Sequence, residues 1–394
     1  MKYYIAESGV SLYTDKLLHK LAVDYGHQVV GREEADAILV SIEDITSINR
    51  IYREGRNSKV PVIAGGHLAK ISAKAMSVYA DIVWVGHAFE FFEIKSYQDI
   101  LDSPYSFTGN GEVCTSRKIQ WDLCPIIRVN RSQYYIWGGV GCKNKCKFCV
   151  TSWTEPHINR YKNTGQINGV KARVPNKGQL HLISNEYDDV PTGKVGDMTM
   201  RGFLELRRTG KNRLIRIGIE FPNERTRATA GKPIKDEEII EAIKLAERLK
   251  FELQFFMIGG IDEKEDWLHF TDLIPESKQM APRIFIKITN FEPQPKTPWF
   301  SRQPVDPDKY VDAAFTSELY YRIADKNKRV RMNKTKYPAH AIWRACMTAV
   351  ENEEEYKRVY KQRENKNMED IYKMYMDMKP WERDFDYIKS SYIE

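Results

Sequence analysis

What this 394-residue chain lacks narrows the field before any motif is read. It has no apolar run long enough to span a bilayer. Phe255-Phe256-Met257-Ile258, among its longest, is strand-length, against the roughly 20 residues a transmembrane helix requires. Cysteine is scarce, with six in all, and the chain opens on Met1-Lys2-Tyr3-Tyr4 without an apolar signal segment. That combination argues against a disulfide-stapled secreted framework and for a reducing, cytoplasmic setting. There is no internal repeat and no low-complexity tract. Nor is the charge strongly one-signed: 61 basic and 54 acidic residues leave +7 and a pI near 8.8, a mild preference for an anionic partner.

What is present is ordinary globular composition, 42% hydrophobic and 29% charged, enough for two or three domains. The few cysteines are unevenly placed. An apolar strand, Tyr134-Tyr135-Ile136-Trp137, runs through Gly138-Gly139-Val140-Gly141 into Cys142, Cys146 and Cys149, spaced C-x3-C-x2-C. Three thiolates on one short loop can hold one metal centre. Clusters of the 4Fe-4S type usually take four cysteines, so three leave one iron open to a substrate or cofactor. Structural zinc is the alternative. It would need a fourth ligand, and the only nearby candidate is His157, behind Pro156. Cys114, Cys124 and Cys346 read as buried or incidental thiols rather than ligands of an auxiliary cluster.

The loop resembles the cluster loop of the radical S-adenosylmethionine (radical SAM) superfamily, down to Gly141 before the first cysteine and Phe148 before the third. The resemblance implies that Cys142, Cys146 and Cys149 ligate a 4Fe-4S cluster, that its open iron chelates SAM, and that Phe148 sits beside the adenine. It further implies reductive cleavage of SAM to a 5'-deoxyadenosyl radical, fed by a one-electron reductant of the flavodoxin or ferredoxin type. The cofactors carry the hard chemistry while the protein positions and shields it. By the same resemblance Glu186 matches the glutamate of the family's G-G-E motif, with Ser184 and Asn185 in place of the glycines. Glu220, ending Leu214–Glu220, matches the carboxylate on the SAM ribose, for which two vicinal hydroxyls are suitable donors. Gly259 and Gly260 match the glycine turn against adenine.

Ahead of this core, Tyr3-Tyr4-Ile5-Ala6, Ala37-Ile38-Leu39-Val40, Val60-Pro61-Val62-Ile63-Ala64 and Ile82-Val83-Trp84-Val85 alternate with helical patterns. That order predicts a doubly wound parallel sheet, with Gly65-Gly66-His67 and Gly86-His87 in turns where such sheets bind ligands. It resembles the cobalamin-binding domain that precedes many radical SAM enzymes. The D-x-H-x-x-G cobalt-ligand motif is absent, and Gly86-His87-Ala88-Phe89-Glu90 replaces the family's glycine-glutamate tetrad. Tight cobalamin binding is therefore not expected, and the other role open to the domain is to pack on the core or recognise substrate.

The expected class is α/β. A Rossmann-like domain at 1–100 and a connector at 101–132 precede a partial (β/α) radical SAM barrel at 133–304, counted as five strands ending at Arg283–Asn290. A helical, basic C-terminal region follows at 305–394. There Tyr356, Tyr360, Tyr372, Tyr375 and Trp381 read as a helix packing stripe. The loop from Arg160 to Lys177 and the run Lys326, Lys328, Arg329, Arg331, Lys334 and Lys336 are candidates for a polyanion-binding rim, or else for a solvated face. The leading function is radical modification of a nucleic-acid-linked substrate, by rearrangement or carbon-centred group transfer, with the isomerase type associated with phage DNA base hypermodification as one specific case. One alternative is cobalamin-dependent methyl transfer to a small metabolite or peptide; another is a non-catalytic metal-binding module on nucleic acid. Catalytic residues beyond the cluster and SAM site are not identified by the sequence.

Overall fold

The computed structural model describes residues 1–7, 12–56, 58–115, 125–129, 133–137, 139–142, 144–154, 158–159, 179–183, 192–193, 214–300, 305–333 and 338–389. The first sheet comprises β1 (Lys2–Ala6), β2 (Gln28–Val29), β3 (Ala37–Ser41), β4 (Val62–Gly65), β5 (Ile82–Trp84) and β6 (Ser106–Phe107). Its order is β2-β1-β3-β4-β5-β6, all parallel except the antiparallel edge strand β6. Alternate residues face opposite ways along a strand. Leu39, Ile63, Ile82 and Trp84 pack with Leu17, Leu21, Phe89 and Phe92 from the helices Leu12–Asp24 and Ala88–Glu93. Ile38, Val40, Val62, Ala64 and Val83 point the other way. Burial on both faces is why β3 reads as an unbroken apolar run.

The second face is covered from the far end of the chain. Met347, Val350, Tyr356, Val359, Ile371 and Met374 join it in one core, and each such buried side chain contributes about 1.5–3 kcal/mol. They come from the helices Ala339–Thr348, Glu353–Lys361 and Met368–Met378 and the turn after the first of them. Ser72 donates to the Thr348 carbonyl, and Lys74 pairs with Glu351 at 3.1 Å across the same boundary. Tyr356 and Tyr375 are buried, while Tyr360, Tyr372 and Trp381 pack against them half-buried, so the aromatic series is a packing stripe.

β7 (Val113–Cys114) pairs in parallel with Ile388–Lys389, tying the two ends of the chain together again. In a small sheet, β9 (Gln133–Trp137) lies between the antiparallel β8 (Ile127–Arg128) and the parallel β12 (Gln179–Ile183), and β10 (Gly139–Val140) and β11 (Ile158–Asn159) form a separate antiparallel pair. A larger, wholly parallel sheet runs β13-β14-β15-β16-β17, from β13 (Thr192–Gly193) through β14 (Leu214–Glu220), β15 (Glu252–Gly259) and β16 (Ile284–Asn290) to β17 (Val330–Met332). One of its faces, with Ile215, Ile217, Leu253, Phe255, Ile284 and Ile286, packs on helices through Ile239, Ile243, Trp267, Phe270, Leu319 and Ile323. The other is half-buried and partly polar, with Arg216 donating to Gln254 at 3.2 Å. A face of that kind can line a site.

The pairing continues past residue 304. Arg283–Asn290 is not the last strand, because β17 adds to its edge after the helix Ala313–Lys326. Three residues reading Val-Arg-Met within a basic run are too few to show a period. Arg329 in that run is buried beside Glu247 at 3.3 Å, and Lys326 lies 3.8 Å from Asp272. Arg329 is thus a core cation and cannot belong to a surface rim. Among the described residues, no helix is long and apolar enough to cross a membrane.

Candidate metal centre

The cysteine loop leaves β10 through Gly141 and turns again at Lys145, both with positive φ, 65° and 49°. Lys145 occupies a left-handed conformation that a non-glycine residue rarely adopts, and such strain tends to cluster at functional sites. Cys146 is buried, whereas Cys142 and Cys149 are partly exposed. The Cys149 amide donates to the Cys146 carbonyl at 3.2 Å, and the Trp153 indole, from the helix Thr151–Thr154, donates to the same oxygen at 2.9 Å. Burial pushes the Cys146 thiol up to about 11; Lys232 opposes that shift, and Cys149 and Cys142 lie near enough to add to it.

Two other strand ends hold the loop in place. The Lys147 amide donates to the Ala230 carbonyl at 3.0 Å, from the segment after β14, and the Trp299 amide donates to the Lys147 carbonyl at 3.1 Å, from the segment after β16. Gly231 makes the first contact possible. Its φ is +86°, and a Cβ there would stand 3.3 Å from the Lys145 carbonyl oxygen and 3.6 Å from the Cys146 Cα. Arg227, fully buried, fixes this turn: its guanidinium donates to the carbonyls of Phe221, Pro222 and Ile234 and pairs with Asp236. Phe148 meets Phe221 edge-on at 5.3 Å and Trp299 at 6.0 Å, so an aromatic wall backs the loop.

Glu220 ends β14 at a register shift between Gly218 and Glu220, with φ +70°. A bulge re-aims the residue it carries. Here it turns Glu220 onto Lys232, whose ammonium lies 2.5 Å from the carboxylate and 3.1 Å from the Gly218 carbonyl. Gly218 must lack a side chain, since a Cβ would meet Glu220 Oε1 at 2.2 Å and Lys232 Nζ at 2.5 Å. Burial disfavours the charged lysine, but Glu220 outweighs it and the Lys232 pKa is raised. Glu220, which the resemblance puts against the SAM ribose, thus ends β14 and is engaged by a cation that sequence reading did not single out.

Gly259 and Gly260 end β15. A Cβ on Gly259 would meet Asn290 Oδ1 at 2.6 Å and Val311 at 2.7 Å, and one on Gly260, at φ +94°, would meet the Tyr310 ring at 2.9 Å. Close packing within the chain accounts for both glycines. Nearby, burial pushes the Asp262 carboxyl up to about 6, although the Thr226 hydroxyl donates to it at 2.5 Å. A second, partly exposed charge constellation joins the two large sheets. Arg344 contacts Asp44, after β3, at 2.5 Å and Glu292, after β16, at 2.5 Å; burial pushes Glu292 up to about 7 against that pairing. These groups come from distant segments and carry no local motif. Glu186, Cys124, His157, Arg160–Lys177, Lys334 and Lys336 lie outside the described residues.

The loop fits a 4Fe-4S cluster: Cys142 and Cys149 stand near the buried Cys146, the Lys232 cation stands beside Cys146 and Cys149, and an aromatic wall backs the loop. Among the described residues, no three Cys, His, Asp or Glu side chains form a ligand set for a metal ion. Cluster ligands each bind a different iron and so stand farther apart than donors to one ion.

The fold is similar to that of a radical SAM methyltransferase of known structure. The radical SAM methyltransferase TsrM from Kitasatospora setae, with cobalamin and a [4Fe-4S] cluster bound, matches with a TM-score of 0.56 over 91% of this chain and 99% of its own, at 9% identity. TsrM with tryptophan substrate and the SAM analogue aza-SAM gives 0.54 over 76% and 74%, at 11% identity. The cobalamin-dependent SAM radical enzyme OxsB with aqua-cobalamin gives 0.46 over 69% of this chain and 51% of that one, at 11% identity. At these identities the likeness is one of fold. No protein-family model and no curated protein matches the sequence.

Proposed function

We propose that this chain is a radical SAM enzyme, with Cys142, Cys146 and Cys149 as cluster ligands. The observation that carries the reading is the loop itself: a C-x3-C-x2-C turn gripped at Lys147 by the chain segments that follow two parallel strands of a radical SAM-like fold. When bound, the cluster would supply one electron to SAM and so yield a 5'-deoxyadenosyl radical. The chain's own residues fix the thiols, offset their charge and exclude water. The Lys147 clamp and the Trp153 indole hold the Cys146 backbone, and Lys232 places a buried positive charge near the thiolates. Phe148, Phe221 and Trp299 close the apolar side. A one-electron carrier protein is the partner this reading requires.

A second reading, cobalamin-dependent methyl transfer to a small metabolite or peptide, is favoured by the match to TsrM, which extends over the N-terminal sheet. It is better supported than action on nucleic acid, since the described part of the basic run does not form a continuous exposed rim. Products separate the two readings. Anaerobically reconstituted protein given SAM and reductant yields 5'-deoxyadenosine without S-adenosylhomocysteine on the first, and S-adenosylhomocysteine with a methylated product on the second. A chain that binds no iron sinks both.

A further inference from the structure

The N-terminal sheet has the order 2-1-3-4-5 with an added edge strand, and in open parallel sheets of this kind ligands enter the crevice at the topological switch point. That point lies between the ends of β1 and β3, because the chain leaves them towards opposite edges of the sheet, to β2 and to β4. Here the crevice is bridged from within. Arg50, on the helix Asn49–Gly55, donates to the Ser41 carbonyl at 2.8 Å, the Ala6 carbonyl at 2.8 Å and the Glu7 carbonyl at 2.5 Å. One guanidinium thus satisfies oxygens at both strand ends, and its residue is only 7% exposed.

The neighbouring turn is equally occupied. Gly65-Gly66-His67 looks in the sequence like a ligand turn, yet a Cβ on Gly66 would stand 2.6 Å from the Ile42 carbonyl oxygen. Leu68 donates to that same oxygen at 3.1 Å, and Ile42 donates to Gly65 at 2.8 Å. The glycine lets two backbone segments of this chain touch. Of the two acidic residues that follow β3, Glu43 accepts from the Ser41 hydroxyl at 2.9 Å and Asp44 is committed to Arg344. The strand ends that would receive the nucleotide tail of a corrin are tied to each other and to the C-terminal helices.

We infer that Arg50 seals the switch-point crevice, and that the N-terminal domain serves as a packed wall of the enzyme and does not seat cobalamin. The residues present do not fit the group that the fold suggests. This rests on the radical SAM reading only for its consequence, that SAM and the cluster act without a corrin, which sets the cobalamin-dependent second reading aside; the seal itself is a property of the sheet.

The test is corrin retention by the full chain, native and with Arg50→Ala, after incubation with hydroxocobalamin and gel filtration; iron and sulfide are assayed on the same fractions. The native chain should emerge corrin-free. Arg50→Ala should bind roughly tenfold or more tighter than native, the equivalent of one charge-assisted hydrogen bond that no longer has to be displaced. Arg50→Lys, which cannot reach three carbonyls at once, should lie between them and serves if the alanine variant does not fold. Stoichiometric corrin on the native chain would overturn the inference. So would a folded Arg50 variant as corrin-free as native, since something else would then exclude the tail. Loss of iron alone would sink the radical reading and leave this result standing.

Discussion

The molecule presents two parallel sheets whose strand ends have opposite fates. At the N-terminal sheet, Arg50 reaches across the β1 and β3 ends and consumes their carbonyls. At the barrel sheet, the guanidinium of Arg227 also consumes strand-end carbonyls, but it pins a turn that opens onto three thiols. One buried arginine closes a crevice, and the other builds the floor of a site. A shared fold fixes where ligands enter such sheets, and the side chains decide whether they do. The 9% identity to a cobalamin-bound relative leaves ample room for that difference.

Removing the thiols gives the largest expected effect. Replacing Cys142, Cys146 and Cys149 together with alanine should abolish iron and sulfide binding while leaving far-ultraviolet circular dichroism unchanged; a variant with full iron content would refute the ligand assignment. Next comes Arg227→Met. It strands buried carbonyls and unpairs Asp236, which should cost about 3–5 kcal/mol in denaturant unfolding and lower iron retention. Arg50→Met should also destabilise, yet keep the iron. If the two arginine variants lose iron equally, the distinction between the edges fails.

The ion pair beside the loop allows a finer cut. Lys232→Met removes a positive charge near the cluster and should make its midpoint potential more negative, whereas Glu220→Gln frees that charge and should shift it the other way. Each shift should be on the order of 100 mV, from a unit charge several ångströms away at an effective dielectric of about 20. Redox titration followed by electron paramagnetic resonance measures both, and shifts of the same sign would rule out an electrostatic role for the pair.

The smallest expected effect concerns pH. Burial raises the Asp262 carboxyl from 3.8 to about 6, so between those values the folded chain holds a proton that the unfolded chain has released. Stability should therefore fall as pH rises from about 4 to about 6, by at most about 3 kcal/mol. Asp262→Asn should remove that slope and be more stable at neutral pH. An unchanged pH profile would show that Asp262 titrates normally.

The sequence made the cysteine loop legible because its chemistry is local: three cysteines, a glycine turn and an apolar strand within sixteen residues. Strand alternation likewise exposed the N-terminal sheet. Lys232 and Arg227 were not visible, since each acts only through a turn that folds back onto the loop from some eighty residues away. The glycines carry a second meaning beside the one their pattern suggests. Gly66, Gly259 and Gly260 match ligand turns in pattern, but the atoms nearest their missing side chains belong to Ile42, Asn290, Val311 and Tyr310. A glycine signals close approach, and sequence alone does not say of what. β17 was hidden because its three residues sit inside a charged run.

The contrast between the two edges is tested most directly by one anaerobic reconstitution with iron, sulfide and hydroxocobalamin supplied together, followed by gel filtration and an absorption spectrum. The expected fraction carries about four irons per chain with the broad brown absorption of a 4Fe-4S cluster and no corrin bands. Stoichiometric corrin beside the cluster, or a chain with neither, would contradict the account.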